Sequence, residues 1–143
     1  MAEREERGFR EIEHTADVGV EVEGESPRRL FSVAAEGFYA LIADPSGIEP
    51  GQEISVSVTG AGWEDLLQAW LSELLAQFNL QGFIGKYCAV TSIASDRVDG
   101  RLKGEVLDLK RHRFYTEIKG VTYHGLKVWQ ADGKWHARVI FDV

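Results

Sequence analysis

The stretch GWEDLLQAWLSELLAQFN, residues 62–79, constrains the fold more than any other part of the chain. Trp63, Leu67, Trp70, Leu74 and Phe78 recur at helical spacing as one apolar stripe, and Leu66, Leu71 and Leu75 widen it. Burying such side chains is worth roughly 1.5–3 kcal/mol each, so the stripe needs a broad partner surface. Glu64 and Asp65 suit the positive amino end of this helix. Trp63 and Trp70 also admit reading as a cofactor box, but core packing accounts for their spacing.

A second helix precedes it in GESPRRLFSVAAEGFYALIADP. Ser26 is a good N-cap, Pro27 fits the first helical position, and Asp44-Pro45 stops the run. Leu30, Ala34, Phe38 and Leu41 recur on its apolar face.

The partner surface is β-structure. Val18, Val20 and Val22 alternate with Gly19, Glu21 and Glu23, predicting a first strand over roughly 9–24. QEISVSVT is a second strand, with Ile54, Val56 and Val58 on one face. The later half reads as two hairpins with type I′ turns at Asp99-Gly100 and Asp132-Gly133. A two-residue turn at the latter sets Val128 against Ala137, Leu126 against Val139 and Trp129 against His136. The expected fold is α+β, a largely antiparallel sheet with two long helices packed on one face.

The chain has 143 residues, of which 44% are hydrophobic, enough for one domain over 9–143 after a flexible stretch at 1–8. A net charge of -7 argues against independent binding of RNA or DNA. Cys88 is the sole cysteine, which excludes an internal disulfide and a thiolate zinc cluster. MAEREERGF is acidic and is not a signal peptide, and no apolar run approaches a membrane span. A cytoplasmic protein is expected.

Signatures for P-loops, dinucleotide folds, zincins and serine hydrolases are all missing. What remains is polar groups at strand ends. His14 and Asp17 lie at the mouth of the first strand. His112, Glu117, Lys119 and His124 fall between the hairpins, and Asp142 and Val143 close the last strand. Each aspartate also reads as a turn cap, and each histidine as hydrogen-bonded scaffold. Against this, a strand running to Val143 brings a main-chain carboxylate one residue from Asp142. If Asp17 joins them, three carboxylates repel unless a cation sits between. Oxygen donors suit Ca²⁺, with Mn²⁺ or Mg²⁺ as alternatives, rather than zinc.

EHTADVGV at 13–20, LLQAWLSELL at 66–75, EIKGVTYHGLKV at 117–128 and VIFDV at 139–143 occur in that order. In these motifs the chain resembles the archease family, protein cofactors of the RNA-splicing ligase that joins tRNA halves. One departure is Gly120, where alanine is expected. The resemblance implies metal ligation by Asp17, Asp142 and, through main-chain oxygen, Val143. It implies an activator that is not itself an enzyme, promoting guanylylation and multiple turnover of the ligase and relaxing its nucleotide preference. tRNA is then met only through the ligase, and no membrane is involved. His14, Glu117, Lys119 and His124 are candidates for contacting the partner or supporting the tip. The basic cluster KRHR at 110–113 is a solvated loop or a contact for RNA or an acidic patch. Two other classes stay open: a metal-dependent phosphoesterase using His14, Asp17, His112 and Asp142, and a chaperone-like binder of RNA-modifying enzymes.

Overall fold

The computed structural model describes residues 8–13 and 17–143, with backbone alone at 11–13. Apart from Gly8, the expected flexible stretch lies outside the described residues, as does His14. The elements run β1 (Phe9–Glu13), β2 (Asp17–Gly24), α1 (Pro27–Ile42), a 3₁₀ turn (Pro45–Gly47), β3 (Gln52–Thr59) and α2 (Trp63–Gln81). Then follow β4 (Phe83–Ala94), β5 (Arg97–Val106), β6 (Gly120–Val121), β7 (Lys127–Ala131) and β8 (Lys134–Asp142).

The fold is α+β and every strand pairing is antiparallel. The strands divide between two sheets. One has the order β1-β2-β8-β6 with β7 also on β8; the other has the order β3-β5-β4. Both helices serve both sheets. α1 packs on β4 of the smaller sheet and β2 of the larger, and α2 on β3 and β6. This explains why α1 buries far more than one stripe, from Leu30 to Ile42 with only Glu36 less covered. Phe38, Trp70 and Leu74 are all fully buried, and the Trp70 indole N–H donates to the Phe31 carbonyl at 3.1 Å.

Local signals set the ends of α1. The Ser26 hydroxyl accepts from the Arg29 N–H at 3.1 Å, and Pro27 opens the helix. Beyond its end, the Asp44 carboxylate caps the 3₁₀ turn through the Ser46 N–H at 3.0 Å.

Three readings are corrected. The expected first strand is two strands, β1 and β2, paired antiparallel with Phe9 opposite Val22 and Glu13 opposite Val18. The turn between β4 and β5 lies at Ser95-Asp96, with Ala94 opposite Arg97, and Asp99-Gly100 sits inside β5. The reason is tertiary. A Cβ on Gly100 would come within 2.7 Å of Trp70 Cη2, so this glycine makes room for the indole. Asp99 points outward, accepts from the Ser57 hydroxyl and pairs with Arg97 at 3.0 Å. Finally, β7 begins at Lys127, leaving Leu126 in a turn in which its N–H donates to the Tyr123 carbonyl.

The other hairpin follows its sequence. Asp132 and Gly133 have φ of 54° and 74°, as a type I′ turn requires. Val128 lies opposite Ala137, and Trp129 opposite His136 with the rings stacked at 5.4 Å. Cys88 is scaffold: burial, then the Glu36 carboxylate, pushes its thiol up to about 12.

Candidate functional site

The register of β2 with β8 sets Asp17 directly opposite Asp142. Opposed Cα atoms in such a ladder lie about 4.5–5.5 Å apart with side chains on one face. The two aspartate side chains therefore lie on the same face at one end of the larger sheet. On the other side of β8, Gly120 faces Asp142 and Val121 faces Phe141. The Lys119 N–H donates to the Asp142 carbonyl at 2.7 Å. Asp142 is thus gripped by strands on both sides, although it sits at the end of its own. Val143 packs its partly buried side chain against the core.

Among the described residues, neither carboxylate has a hydrogen-bond or ion-pair partner. Among the described residues, no third His, Cys, Asp or Glu side chain joins them there. Two facing carboxylates without a cationic side chain between them are an oxygen donor pair whose mutual repulsion a cation would relieve. The donor set fits a hard divalent ion.

The remaining predicted residues divide. Lys119 serves the tip through its main chain while its side chain is exposed. Glu117 and His124 are exposed, and neither side chain bonds to the aspartate pair. The His124 carbonyl accepts from the Thr122 hydroxyl at 3.5 Å. His112 is buried, with Nδ1 accepting from the Asp108 N–H at 2.8 Å and Nε2 meeting Glu105 at 2.9 Å. Since Nδ1 accepts, Nε2 carries the proton and donates. Both ring nitrogens are occupied, so His112 does not join Asp17 and Asp142 in a hydrolytic set. Arg111 pairs with the same Glu105 at 2.6 Å. Arg111, the Glu49 N–H and His112 together hold the Glu105 carboxyl down at about 2. Two members of the basic cluster therefore brace β5.

A support that sequence reasoning missed comes from the amino end of α2. Gln68 Nε2 donates to the Val121 carbonyl at 3.0 Å, tying β6 to the helix. The Glu64 carboxylate accepts from the Val128 N–H at 3.0 Å, and Asp65 from the Tyr123 hydroxyl at 2.9 Å. Asp65 also accepts from the Ala61 N–H. That backbone bond first, and Tyr123 next, hold its carboxyl below the usual range. Between these anchors Gly125, at φ of 68°, lies so close over Ile140 that a Cβ would come within 3.0 Å of its Cδ1. Only the acidity of residues 64 and 65 was a sequence signal, and it pointed to the helix dipole.

The archease protein family model matches residues 9–143. The chain belongs to the archease family. It is 35% identical over 138 residues to an archease of Methanopyrus kandleri, covering 94% of this chain and 99% of that protein. An archease of Archaeoglobus fulgidus is 35% identical over 137 residues, covering 94% and 98%. The solution structure of Methanobacterium thermoautotrophicum protein 1598 superposes with a TM-score of 0.80 at 27% identity, covering 96% and 99% of the two chains. The crystal structure of a Thermotoga maritima archease, described as a possible chaperone, superposes with a TM-score of 0.63 at 24% identity, covering 92% and 94%. The latter likeness concerns the archease fold alone.

Proposed function

We propose that the chain is a protein cofactor of an RNA-splicing ligase, acting through a divalent-cation site at the Asp17–Asp142 tip and catalysing no reaction itself. The observation that carries this reading is the facing pair of carboxylates, held from both sides of β8 and without a compensating side chain among the described residues. Archease family membership supports it.

In this reading Asp17, Asp142 and the main-chain oxygen of Val143 hold Ca²⁺, or Mn²⁺ or Mg²⁺ in its place. A cation there would neutralise the pair and lend positive charge near the ligase's nucleotide triphosphate during guanylylation. Lys119, Glu117 and His124, together with His14, meet the ligase around the tip. The chain's net charge of -7 favours a basic protein partner, so tRNA is reached through the ligase. No helix among the described residues is long and apolar enough to cross a membrane, and the proposed place of work is the cytoplasm.

The test is calorimetric titration with CaCl₂ and MnCl₂, paired with multiple-turnover ligation. Asp17→Asn and Asp142→Asn should each abolish binding and activation. A coupling of about 1–3 kcal/mol between tip and ligase corresponds to a 5–150-fold change in occupancy. Full activation by Asp142→Asn would refute the tip. Activation or client protection that persists in chelator would favour a metal-independent, chaperone-like role.

A further inference from the structure

The two edges of the smaller sheet are treated differently. The β4 edge is closed to further pairing. It carries register shifts between Gly85 and Tyr87 and between Val90 and Ser92. Side chains of α1 take up its outward main-chain groups: Arg28 donates to the Val90 carbonyl, and Glu36 accepts from the Cys88 N–H at 3.0 Å. These are ordinary ways of blocking a sheet edge.

β3 has none of them. Its eight residues pair with β5 in unbroken register, from Gln52 opposite Gly104 to Thr59 opposite Arg97. It contains no proline or lysine. Among the described residues it pairs with β5 alone, and no side chain bonds to its outward main chain. Ile54 and Val58 are only partly buried, so the apolar face of this edge is incompletely covered. Beside it, between Ser57–Thr59 and α2, runs a groove of about 430 Å³ whose helix side is Ala69, Ser72 and Glu73. The small residues leave room for incoming side chains. Among the described residues, the one partner of Glu73 is the neutral amide of Gln77, which leaves its charge uncompensated there. Arg97 also lines the groove, but Asp99 neutralises it through two hydrogen bonds.

We propose that β3 takes up an extended, basic segment of a partner protein as a fourth strand. Main-chain bonds along the free edge would supply affinity. Small or apolar side chains would lie over Ala69 and Ser72, and a lysine or arginine would reach Glu73. The charge of the groove selects this occupant over a second copy of the chain. A second copy would bring another net charge of -7 to an already acidic edge. This surface is separate from the Asp17–Asp142 tip and does not depend on a cation there.

The test uses the full chain and a capped octapeptide of alternating valine and lysine, read by amide hydrogen exchange and light scattering. The peptide should slow exchange within residues 52–59 while the chain stays monomeric. Ser72→Arg, which fills the groove, should weaken the peptide about tenfold or more without moving the unfolding midpoint. Glu73→Gln should weaken it less and flatten its salt dependence. Unchanged exchange in β3 would overturn the proposal. So would equal protection in Ser72→Arg. Protection that rises with protein concentration in the absence of peptide, with a doubled mass, would overturn it in favour of self-pairing.

Discussion

Replacing Asp142 with asparagine should stabilise the cation-free protein, a direction opposite to that of most substitutions. The reason is the register that sets its carboxylate opposite Asp17. At the roughly 5 Å that separates opposed Cβ atoms in a ladder, two unit charges repel by about 0.8 kcal/mol in water-like surroundings, and by more where protein lowers the dielectric. Asparagine keeps the shape and removes that term, and the main-chain grip from Lys119 and β6 is untouched. For a chain of this size, about 1 kcal/mol moves the thermal midpoint by about 3 °C. The gain should shrink at high salt, which screens exposed charges. Calcium should reverse the order. A ligand at 100 times its dissociation constant stabilises the native state by about 2.7 kcal/mol, and only the parent keeps the donors to use it. The assay is calorimetric unfolding of parent and Asp142→Asn in chelator and in CaCl₂, each at two ionic strengths. The reasoning fails if the variant is less stable in chelator. It fails equally if both proteins gain the same from calcium.

Gly100→Ala should cost about 1–3 kcal/mol, because its Cβ would strike the buried Trp70 ring; a near-neutral denaturant midpoint would contradict the packing. Glu105 is ionised more readily in the folded chain than in the unfolded one. The stability it contributes is fully present above about pH 4.5 and is lost as pH falls towards 2. Glu105→Gln should therefore flatten the acid limb of stability in that window, measured by denaturation at stepped pH. Gln68→Leu should loosen β6, read as faster exchange of the Lys119 amide and weaker calcium binding, with the rest of the exchange map unchanged.

What could be read in the chain beforehand tracks how local its cause is. The start of α1 depends on Ser26 and Pro27 acting within one turn, and the last hairpin on two residues that accept positive φ. Both are legible from a few letters. Asp99-Gly100 carries the same letters as Asp132-Gly133, yet the ring of Trp70, about thirty positions away, claims that glycine for packing. The division of the strands into two sheets rests on pairings between distant segments, to which alternation along one strand is blind. Asp17 and Asp142 were recognisable as candidates because both sit at strand ends. Their direct opposition, the two-residue strand that grips Asp142 and the Gln68 strut behind it arise from pairings between distant segments, which no local pattern carries. His14 lies outside the described residues.

The place of β8 has a kinetic consequence. It is the last element in sequence, yet it lies between β2 on one side and β6 and β7 on the other. The smaller sheet and both helices draw only on residues 27–106, so their contacts can mature while the polypeptide is still emerging. The larger sheet cannot close until β8 arrives and pairs with β2 across almost the whole chain, the kind of non-local closure that slows folding. The aspartate pair is made by that closing event. A partially folded chain therefore has helices and a sheet but no assembled tip, and activity that depends on the tip would report completed folding.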